Sequence, residues 1–132
     1  MKKILYSFSL LICILTQYRV LSETYWAKID ETKTEKWYID LESIEKDANY
    51  IDYWTKLEYK KPKNKTKYIY THNVSECYRN LISITEMVRY NSNNSLIEHQ
   101  SSRNMVQFTP IIPGSSLMKI HNLACKSATF KY

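Results

Sequence analysis

Alternating apolar and polar positions run along much of the chain and predict β-strands. The clearest case lies between residues 50 and 60, where Ile51 and Tyr53 begin a row of mostly apolar odd positions and the even positions are mostly charged. This period of two is typical of a strand with one buried face. Residues 50–60 are therefore predicted to form a half-buried strand.

Two further long strands are predicted from residue type. The runs 67–78 and 81–90 are rich in β-branched and aromatic side chains, which suit a pleated surface. In the second run the apolar even positions, from Ile82 and Ile84 to Tyr90, are predicted to share one face. Shorter strand candidates lie at residues 24–29, 36–40, 95–100 and 106–111.

The segments between these runs predict how the strands are connected. They are polar but contain no Asn-Gly or Asp-Gly pair, so we expect loops longer than two residues at 61–65 and 91–94. Successive strands joined by such loops form an antiparallel meander.

Two stretches have a helical pattern. Residues 41–46 are long enough for one short turn. Residues 115–125 carry apolar side chains three and four positions apart, with Ser115 or Ser116 as an N-cap. The sequence therefore predicts an α+β fold, in which a mainly antiparallel meander sheet of about six strands has a C-terminal helix packed on it.

Composition excludes one large class of enzymes. The chain has 132 residues and a single glycine, whereas the P-loop and the dinucleotide fingerprint each need several glycines to bring backbone amides onto a phosphate. With 44% hydrophobic and 24% charged residues, the composition is that of one globular domain.

The N-terminal segment resembles a secretory signal peptide. Lys2 and Lys3 precede an apolar run that is too short to span a bilayer comfortably, and Val20 to Ser22 offers a cleavage site. We therefore expect residues 1–22 to be removed and residues 23–132 to form the exported domain. An uncleaved anchor helix is the alternative, and lipidation of Cys13 is disfavoured because bulky Ile12 precedes it.

Removal of this segment changes the charge of the protein. The full chain has 19 basic and 13 acidic side chains, a net charge of +6. Lys2, Lys3 and Arg19 leave with the segment, so 16 basic side chains remain against 13 acidic ones and the net charge falls to +3. Such a weak excess argues against a nucleic-acid partner.

The predicted domain contains two cysteines, Cys77 and Cys125. Disulfides persist in an oxidising compartment, so we expect these residues to form a bridge. A catalytic cysteine or a zinc ligand is the alternative, although a zinc site needs more ligands than two distant thiols.

No motif in the sequence predicts catalysis, a metal site or a cofactor site. The three histidines, His72, His99 and His121, lack metal-ligand spacing and are expected on the surfaces of strands and a helix. Asp40 and Glu42 are expected to act as a helix cap and a solvated charge rather than as an acid and base pair. The chain is therefore predicted to be non-enzymatic.

Two features are candidates for binding a partner. The first is a basic loop, whose lysines are predicted to cluster at one hairpin tip: Lys60, Lys61, Lys63, Lys65 and Lys67. A cationic tip attracts heparin-like glycans, acidic segments of matrix proteins or anionic lipid head groups, although lysines also simply keep a hairpin soluble. The second is a set of aromatic residues, Trp54, Tyr68 and Tyr70, which either line one sheet face or pack in the core.

Several short motifs, taken in order, resemble the surface-adhesin protein E family of secreted bacterial proteins. They are Trp26, Trp37-Tyr38-Ile39-Asp40, Ser43-Ile44, Glu76-Cys77-Tyr78-Arg79, Ile111-Ile112-Pro113-Gly114-Ser115-Ser116 and Ala124-Cys125. The resemblance implies a small antiparallel sheet, a C-terminal helix, a Cys77–Cys125 bridge and a structural turn at Pro113, Gly114 and Ser115. The hairpin glycines usual in the family are absent, as is a lipobox.

The resemblance also implies a function. It implies adhesion to host extracellular-matrix and serum proteins, so we expect an exported, adhesin-like binding domain that engages a host matrix or envelope macromolecule. From the residues themselves we expect an anionic glycan as a further candidate partner, no cofactor and no stable membrane span after cleavage. A periplasmic structural or accessory protein without a host ligand is the alternative. The periplasm, the cell surface and the medium all remain open as its location.

Overall fold

The computed structural model describes residues 25–129, so the predicted signal segment lies outside the described residues. The strands are β1 (Trp26–Glu31), β2 (Glu35–Asp40), β3 (Glu45–Asp47), β4 (Tyr50–Lys63), β5 (Thr66–Glu76), β6 (Leu81–Tyr90), β7 (Leu96–Ser101) and β8 (Thr109–Pro110). A 3₁₀ turn, Leu41–Ser43, follows β2, and the helix α1 (Ser116–Thr129) comes last.

All eight strands of the described chain join one antiparallel sheet. The main path runs β1-β2-β4-β5-β6-β7, while β3 pairs with β4 and β8 pairs with β6. Strands that follow one another in the chain are therefore neighbours in the sheet, apart from these two short additions. The predicted α+β meander with a C-terminal helix is confirmed. The predicted strand 106–111 is reduced to the two residues of β8.

The helix α1 covers one face of the sheet and closes the hydrophobic core. Ile39 of β2, Tyr53 of β4 and Ile120 of α1 are all 0% exposed. Removal of such side chains from water is the main term that stabilises the fold. The Tyr53 hydroxyl is satisfied by a 2.8 Å hydrogen bond with Ser75 Oγ, and burial raises the pKa of Tyr53 to about 12.

A disulfide joins α1 to the sheet. It links Cys77, directly after β5, to Cys125 on α1, with the two Cα atoms 5.9 Å apart. The bridge agrees with the expectation from the two cysteines. The helix does not end at residue 125, as the apolar pattern predicted, but continues to Thr129.

The β4–β5 connection corrects the prediction of longer loops. β4 continues to Lys63 and pairs there with Thr66, so only Asn64 and Lys65 form the turn. Both have positive φ angles, 50° and 64°, as a two-residue hairpin turn of type I′ requires. The predicted loop 61–65 is therefore mostly strand.

A β-bulge in β6 overturns the prediction that its even positions share one face. His72 pairs with Glu86 and Asn73 pairs with Ile84, which leaves Thr85 as an extra residue. Because one inserted residue exchanges the two faces, Ile84 lies on the α1 side, whereas Val88 lies on the opposite side. Ile84 is 48% exposed instead of buried.

The single glycine lies in the turn that leads into α1. Gly114 has a φ of 77°, and the Ser115 N–H donates to the Ile112 carbonyl at 3.2 Å, the geometry of a type II turn with Pro113 at its second position. Ser115 then caps the helix, since its hydroxyl accepts from the Met118 N–H at 3.1 Å.

Candidate functional site

The predicted basic loop lies at the far end of the β4–β5 hairpin. Lys61, Lys63 and Lys65 are exposed there, around the two-residue turn. Within residues 25–129 none of these three has a carboxylate within ion-pair distance, and the Lys63 ammonium lies 6.0 Å from the centre of the Tyr59 ring. Three of the five predicted lysines therefore direct their charge toward solvent.

The other two predicted lysines, Lys60 and Lys67, are held in ion pairs. Lys60 Nζ lies 2.8 Å from a carboxylate oxygen of Glu31, and Lys67 Nζ lies 3.6 Å from one of Glu58. Hydrogen bonds from Lys28 and then Lys60 lower the pKa of Glu31 to about 2. These two lysines are thus partly neutralised at the base of the tip.

The structure adds Lys33, which sequence reasoning missed. Lys33 lies in the β1–β2 turn, and this turn is held against β4 by a 2.8 Å hydrogen bond from the Lys60 N–H to the Thr34 carbonyl. Lys33, Lys60, Lys61 and Lys63 line a pocket of about 600 Å³ together with Thr34, Glu35 and Tyr59. We call Lys33, Lys60, Lys61, Lys63, Lys65 and Lys67 the basic tip.

No local signal in the sequence links Lys33 to the other lysines of the basic tip. Only the pairing of β2 with β4, in which Glu35 lies opposite Tyr59, brings the β1–β2 turn to the end of the hairpin. Several ammonium groups gathered in this way raise the local positive potential and attract anions.

A second candidate site lies on the sheet face opposite α1. A cleft of about 620 Å³ opens there, and we call it the aromatic cleft. It is lined by Trp26, Asp40, Trp54, Tyr70, Val88, Tyr90 and Asn94. Trp54 and Tyr70 are two of the three aromatic residues noted in the sequence, and neither belongs to the hydrophobic core under α1. Tyr68 lies two residues from Tyr70 on β5 and shares its face.

The rings of the aromatic cleft contact one another at their edges. The Trp26 and Tyr70 centroids are 5.5 Å apart with the planes at 64°, and those of Tyr70 and Tyr90 are 5.7 Å apart at 88°. Edge-to-face contacts of this kind are favourable and fix the ring orientations.

A lysine lies at the margin of this cleft. The Lys56 ammonium is 4.2 Å from the centre of the Tyr38 ring and 5.3 Å from that of Trp26, within the range of cation–π contacts. Burial lowers the pKa of Lys56. Its ammonium group therefore lies over two aromatic rings, and the nearby Glu58 carboxylate also attracts it.

His72 and His99 each contact one polar side chain of a neighbouring strand. His72 Nδ1 is hydrogen-bonded to Thr85 Oγ1 at 2.6 Å, and His99 Nε2 lies 2.9 Å from Glu86. Within the described residues no three His, Cys, Asp or Glu side chains are placed to hold a metal ion.

His121 corrects the expectation of a surface histidine. It is 1% exposed on α1, with Nε2 3.2 Å from Asn80 Oδ1 and 3.7 Å from the bonded sulfur of Cys125. Burial lowers its pKa. A buried histidine beside a disulfide and an amide has a structural role here.

Asp40 acts as the cap that the sequence predicted. Its Oδ1 accepts from the Glu42 N–H at 3.0 Å at the start of the 3₁₀ turn, and Glu42 is exposed.

The comparisons with known proteins bear on what these surfaces do. Residues 25–129 contain no helix whose length and hydropathy suit a membrane span. A search of the curated proteins found no significant match. The family model described as surface-adhesin protein E matches residues 26–126, from the first strand into the last helix. The chain therefore belongs to the surface-adhesin protein E family and is an adhesin-like surface protein.

Proposed function

We propose that this protein is an exported adhesin-like module that binds an acidic glycan of the host matrix through its basic tip. The observation that carries the proposal is the convergence of Lys33 with Lys61, Lys63 and Lys65 at one end of the sheet. Lys61, Lys63 and Lys65 lie at the end of the β4–β5 hairpin, around its two-residue turn. The two strands of this hairpin pair with each other through most of their length. The register shifts between the Glu58–Tyr68 and Lys63–Thr66 pairs, so these charges lie beyond the regularly paired part of the hairpin, next to its two-residue turn.

Charge and shape at the basic tip favour an anionic, extended partner. The ammonium groups of Lys61, Lys63 and Lys65 face solvent, whereas Lys60 and Lys67 already have carboxylates. Exposed lysines bind repeated anionic groups by long-range attraction without needing a deep pocket. Sulfated glycans present such repeats.

The test is heparin binding at several salt concentrations. A tip variant combines Lys61→Ser, Lys63→Ser and Lys65→Ser. Each lysine near an anionic surface contributes about 1 kcal/mol to binding, so we expect the tip variant to bind heparin about 100-fold more weakly at low salt. Binding by the unmodified protein should weaken steeply with added salt, because screening shortens the reach of exposed charges.

A matched control removes three charges from the other end of the sheet. Lys46, Arg79 and Lys126 become Ser, which gives the same net charge as the tip variant. This control should bind heparin nearly as well as the unmodified protein. An equal loss in both variants would show that net charge alone is responsible. No binding at low salt would favour the alternative, an accessory protein without a host ligand.

A further inference from the structure

The aromatic cleft is concave because side chains from distant strands approach one another over the sheet. Strands β1 and β5 are separated by β2 and β4, so Cα positions on a flat sheet would lie about 14 Å apart, three strand spacings. The rings of Trp26 on β1 and Tyr70 on β5 have centroids only 5.5 Å apart. The side chains of the outer strands therefore lean inward over the centre of this face.

The rings of the cleft are only half-buried. Trp26, Trp54, Tyr70 and Tyr90 are all intermediate in exposure, and α1 packs against the opposite face of the sheet. A cleft of about 620 Å³ is within the range of small-molecule sites, which is about 300–1,000 Å³. It has the size of a ligand site, with aromatic rings and polar side chains together in its lining.

The charges around the cleft favour an uncharged ligand. The Lys56 ammonium already lies over the Trp26 and Tyr38 rings, so a second cation on these rings would be repelled. The Asp40 carboxylate lines the same cleft and would repel an anion. The positive charge of Lys56 thus disfavours a quaternary ammonium ligand, and the negative charge of Asp40 disfavours an acidic one.

Two polar side chains at the cleft still have hydrogen-bonding capacity. Asp40 uses Oδ1 to accept from the Glu42 N–H, which leaves Oδ2 available. The Asn94 side-chain amide makes no hydrogen bond with residues 25–129, and Asn94 stands in the β6–β7 turn with a φ of 59°. A purely apolar ligand would cover these groups without pairing them, which costs free energy.

We propose that the aromatic cleft binds one or two rings of a neutral saccharide. A pyranose ring has an apolar C–H face that can lie on Trp54 or Tyr70, and hydroxyl groups at its edge that can donate to Asp40 and pair with the Asn94 amide. A neutral saccharide can therefore stack on the aromatic rings and hydrogen-bond with the polar side chains, and it brings no charge that Lys56 or Asp40 would repel. The cleft is a second site, and the inference does not rest on the basic tip.

The three tryptophans provide a direct test by nuclear magnetic resonance. Trp26 and Trp54 line the cleft, whereas Trp37 lies on the α1 side of β2 and donates its indole N–H to Glu35 at 3.0 Å. The protein purified after expression of the full chain is titrated with three uncharged disaccharides: cellobiose, lactose and N,N′-diacetylchitobiose. We expect saturable shifts of the Trp26 and Trp54 indole signals with at least one sugar, and an unmoved Trp37 signal.

Asparagine variants test the polar contact without disturbing the fold. Asn94→Gly keeps a residue that tolerates the positive φ and removes only the amide, so we expect the dissociation constant to rise about threefold to tenfold, the loss of one hydrogen bond. Asn64→Gly, at a φ of 50° in the distant β4–β5 turn, is the matched control and should bind unchanged. Trp54→Leu should raise the dissociation constant at least tenfold.

Three results would overturn the proposal. The first is the absence of any indole shift with all three disaccharides. The second is a response to tetramethylammonium but not to the sugars, which would make the cleft a cation cage. The third is an equal shift of Trp37, which would place the effect outside the cleft. Added salt should leave neutral-sugar binding unchanged, unlike heparin binding at the basic tip.

Discussion

Five residues other than glycine adopt left-handed backbone in the turns of the described chain. They are Ala48, Asn64, Lys65, Asn80 and Asn94, with φ angles between 50° and 64°. Three are asparagines, which tolerate this region better than most L-residues because their short polar side chains can hydrogen-bond locally. A protein with one glycine therefore builds its tight turns largely from asparagine.

Replacing Gly114 by Ala is expected to lower the free energy of unfolding by about 1–2 kcal/mol, the cost of a Cβ in left-handed backbone. No atom lies within 4 Å of the added Cβ, so the whole cost comes from the backbone. Ala48→Gly is the converse variant, because it removes a Cβ at a φ of 52°. Urea unfolding measures both, and a loss in Ala48→Gly as large as that in Gly114→Ala would contradict the explanation.

Because His121 is buried, we expect the stability of the folded protein to fall at mildly acidic pH. Burial lowers its pKa in the folded protein, whereas an unfolded histidine has a pKa of about 6.5. The unfolded chain therefore binds the proton first, so the contribution of neutral His121 is fully present above about pH 6.5 and declines as the pH falls below it.

The thermal midpoint measured between pH 8 and pH 5 tests this effect. His121→Gln removes the titrating group but keeps a polar side chain at the same position, so its midpoint should change less across this range. All carboxylates are the same in the two proteins. Parallel curves for both would refute a role of His121 in the pH dependence.

At the scale of elements, alternation and residue type predict where the strands lie better than which faces they present. The pattern of 81–90 predicts β6 with its bounds, yet Thr85 adds one residue and moves Ile84 and Val88 to opposite faces. A bulge leaves no mark in a pattern of period two, because it depends on the partner strand. The Asn64–Lys65 turn is missed for a similar reason, since strand pairing forces Lys65 into left-handed backbone.

The candidate sites depend still more on the pairing of distant segments. The lysines between 60 and 67 are visible as a cluster in the sequence, but Lys33 joins them only through the register of β2 on β4. The aromatic cleft combines Trp26 and Tyr90 from strands at nearly opposite ends of the meander. Residue composition predicts many aromatic side chains but not that they converge.

Asp30 of β1 attaches the helix α1 to the sheet. Asp30 Oδ1 lies 2.9 Å from Lys119 Nζ, and Oδ2 accepts from Ser116 Oγ at 2.7 Å. The Lys119 and Ser116 hydrogen bonds lower the pKa of Asp30, and its carboxylate lies near the positive end of the helix dipole. Asp30→Asn should therefore lower the thermal midpoint at pH 7.

Glu31→Gln is the control for this variant. Glu31 also binds two lysines, Lys28 and Lys60, but it does not contact α1. Its replacement should lower the midpoint less than Asp30→Asn does. The difference between Asp30→Asn and the unmodified protein should shrink as the pH falls below about 3.8, because protonation removes the charge of Asp30. An equal effect of both variants would contradict a specific role in docking α1.

At the scale of the whole molecule, stabilising elements and candidate binding surfaces occupy different places. The helix α1, the hydrophobic core and the disulfide lie on one face of the sheet, the aromatic cleft lies on the other, and the basic tip lies at the end of a long hairpin. Changes at either candidate surface should therefore leave the core intact.

Limited thermolysin digestion tests the organisation of the whole chain. The segment 102–108 has no helix or strand, and Met105 is 71% exposed, so we expect the first cut there. This segment lies between Cys77 and Cys125, so the cut protein should migrate as one species without reductant and as two fragments with it.

A variant with Cys77→Ala and Cys125→Ala is the control for the digestion. It should give two fragments even without reductant. A first cut of the unmodified protein before Tyr78, which is 89% exposed in the β5–β6 turn, would show that 102–108 is better protected than its exposure indicates.

The bridge between Cys77 and Cys125 also has a mechanical consequence. A force applied through residues 25 and 129 can unravel β1 to β5, but the covalent bond carries the load past every residue between the two cysteines. The two cysteines are 48 residues apart in sequence, so at about 3.4 Å per residue the bridge shortens the fully extended chain by roughly 160 Å. Under such a force, β6, β7 and β8 would remain in a closed loop that bears no load until the bond is reduced.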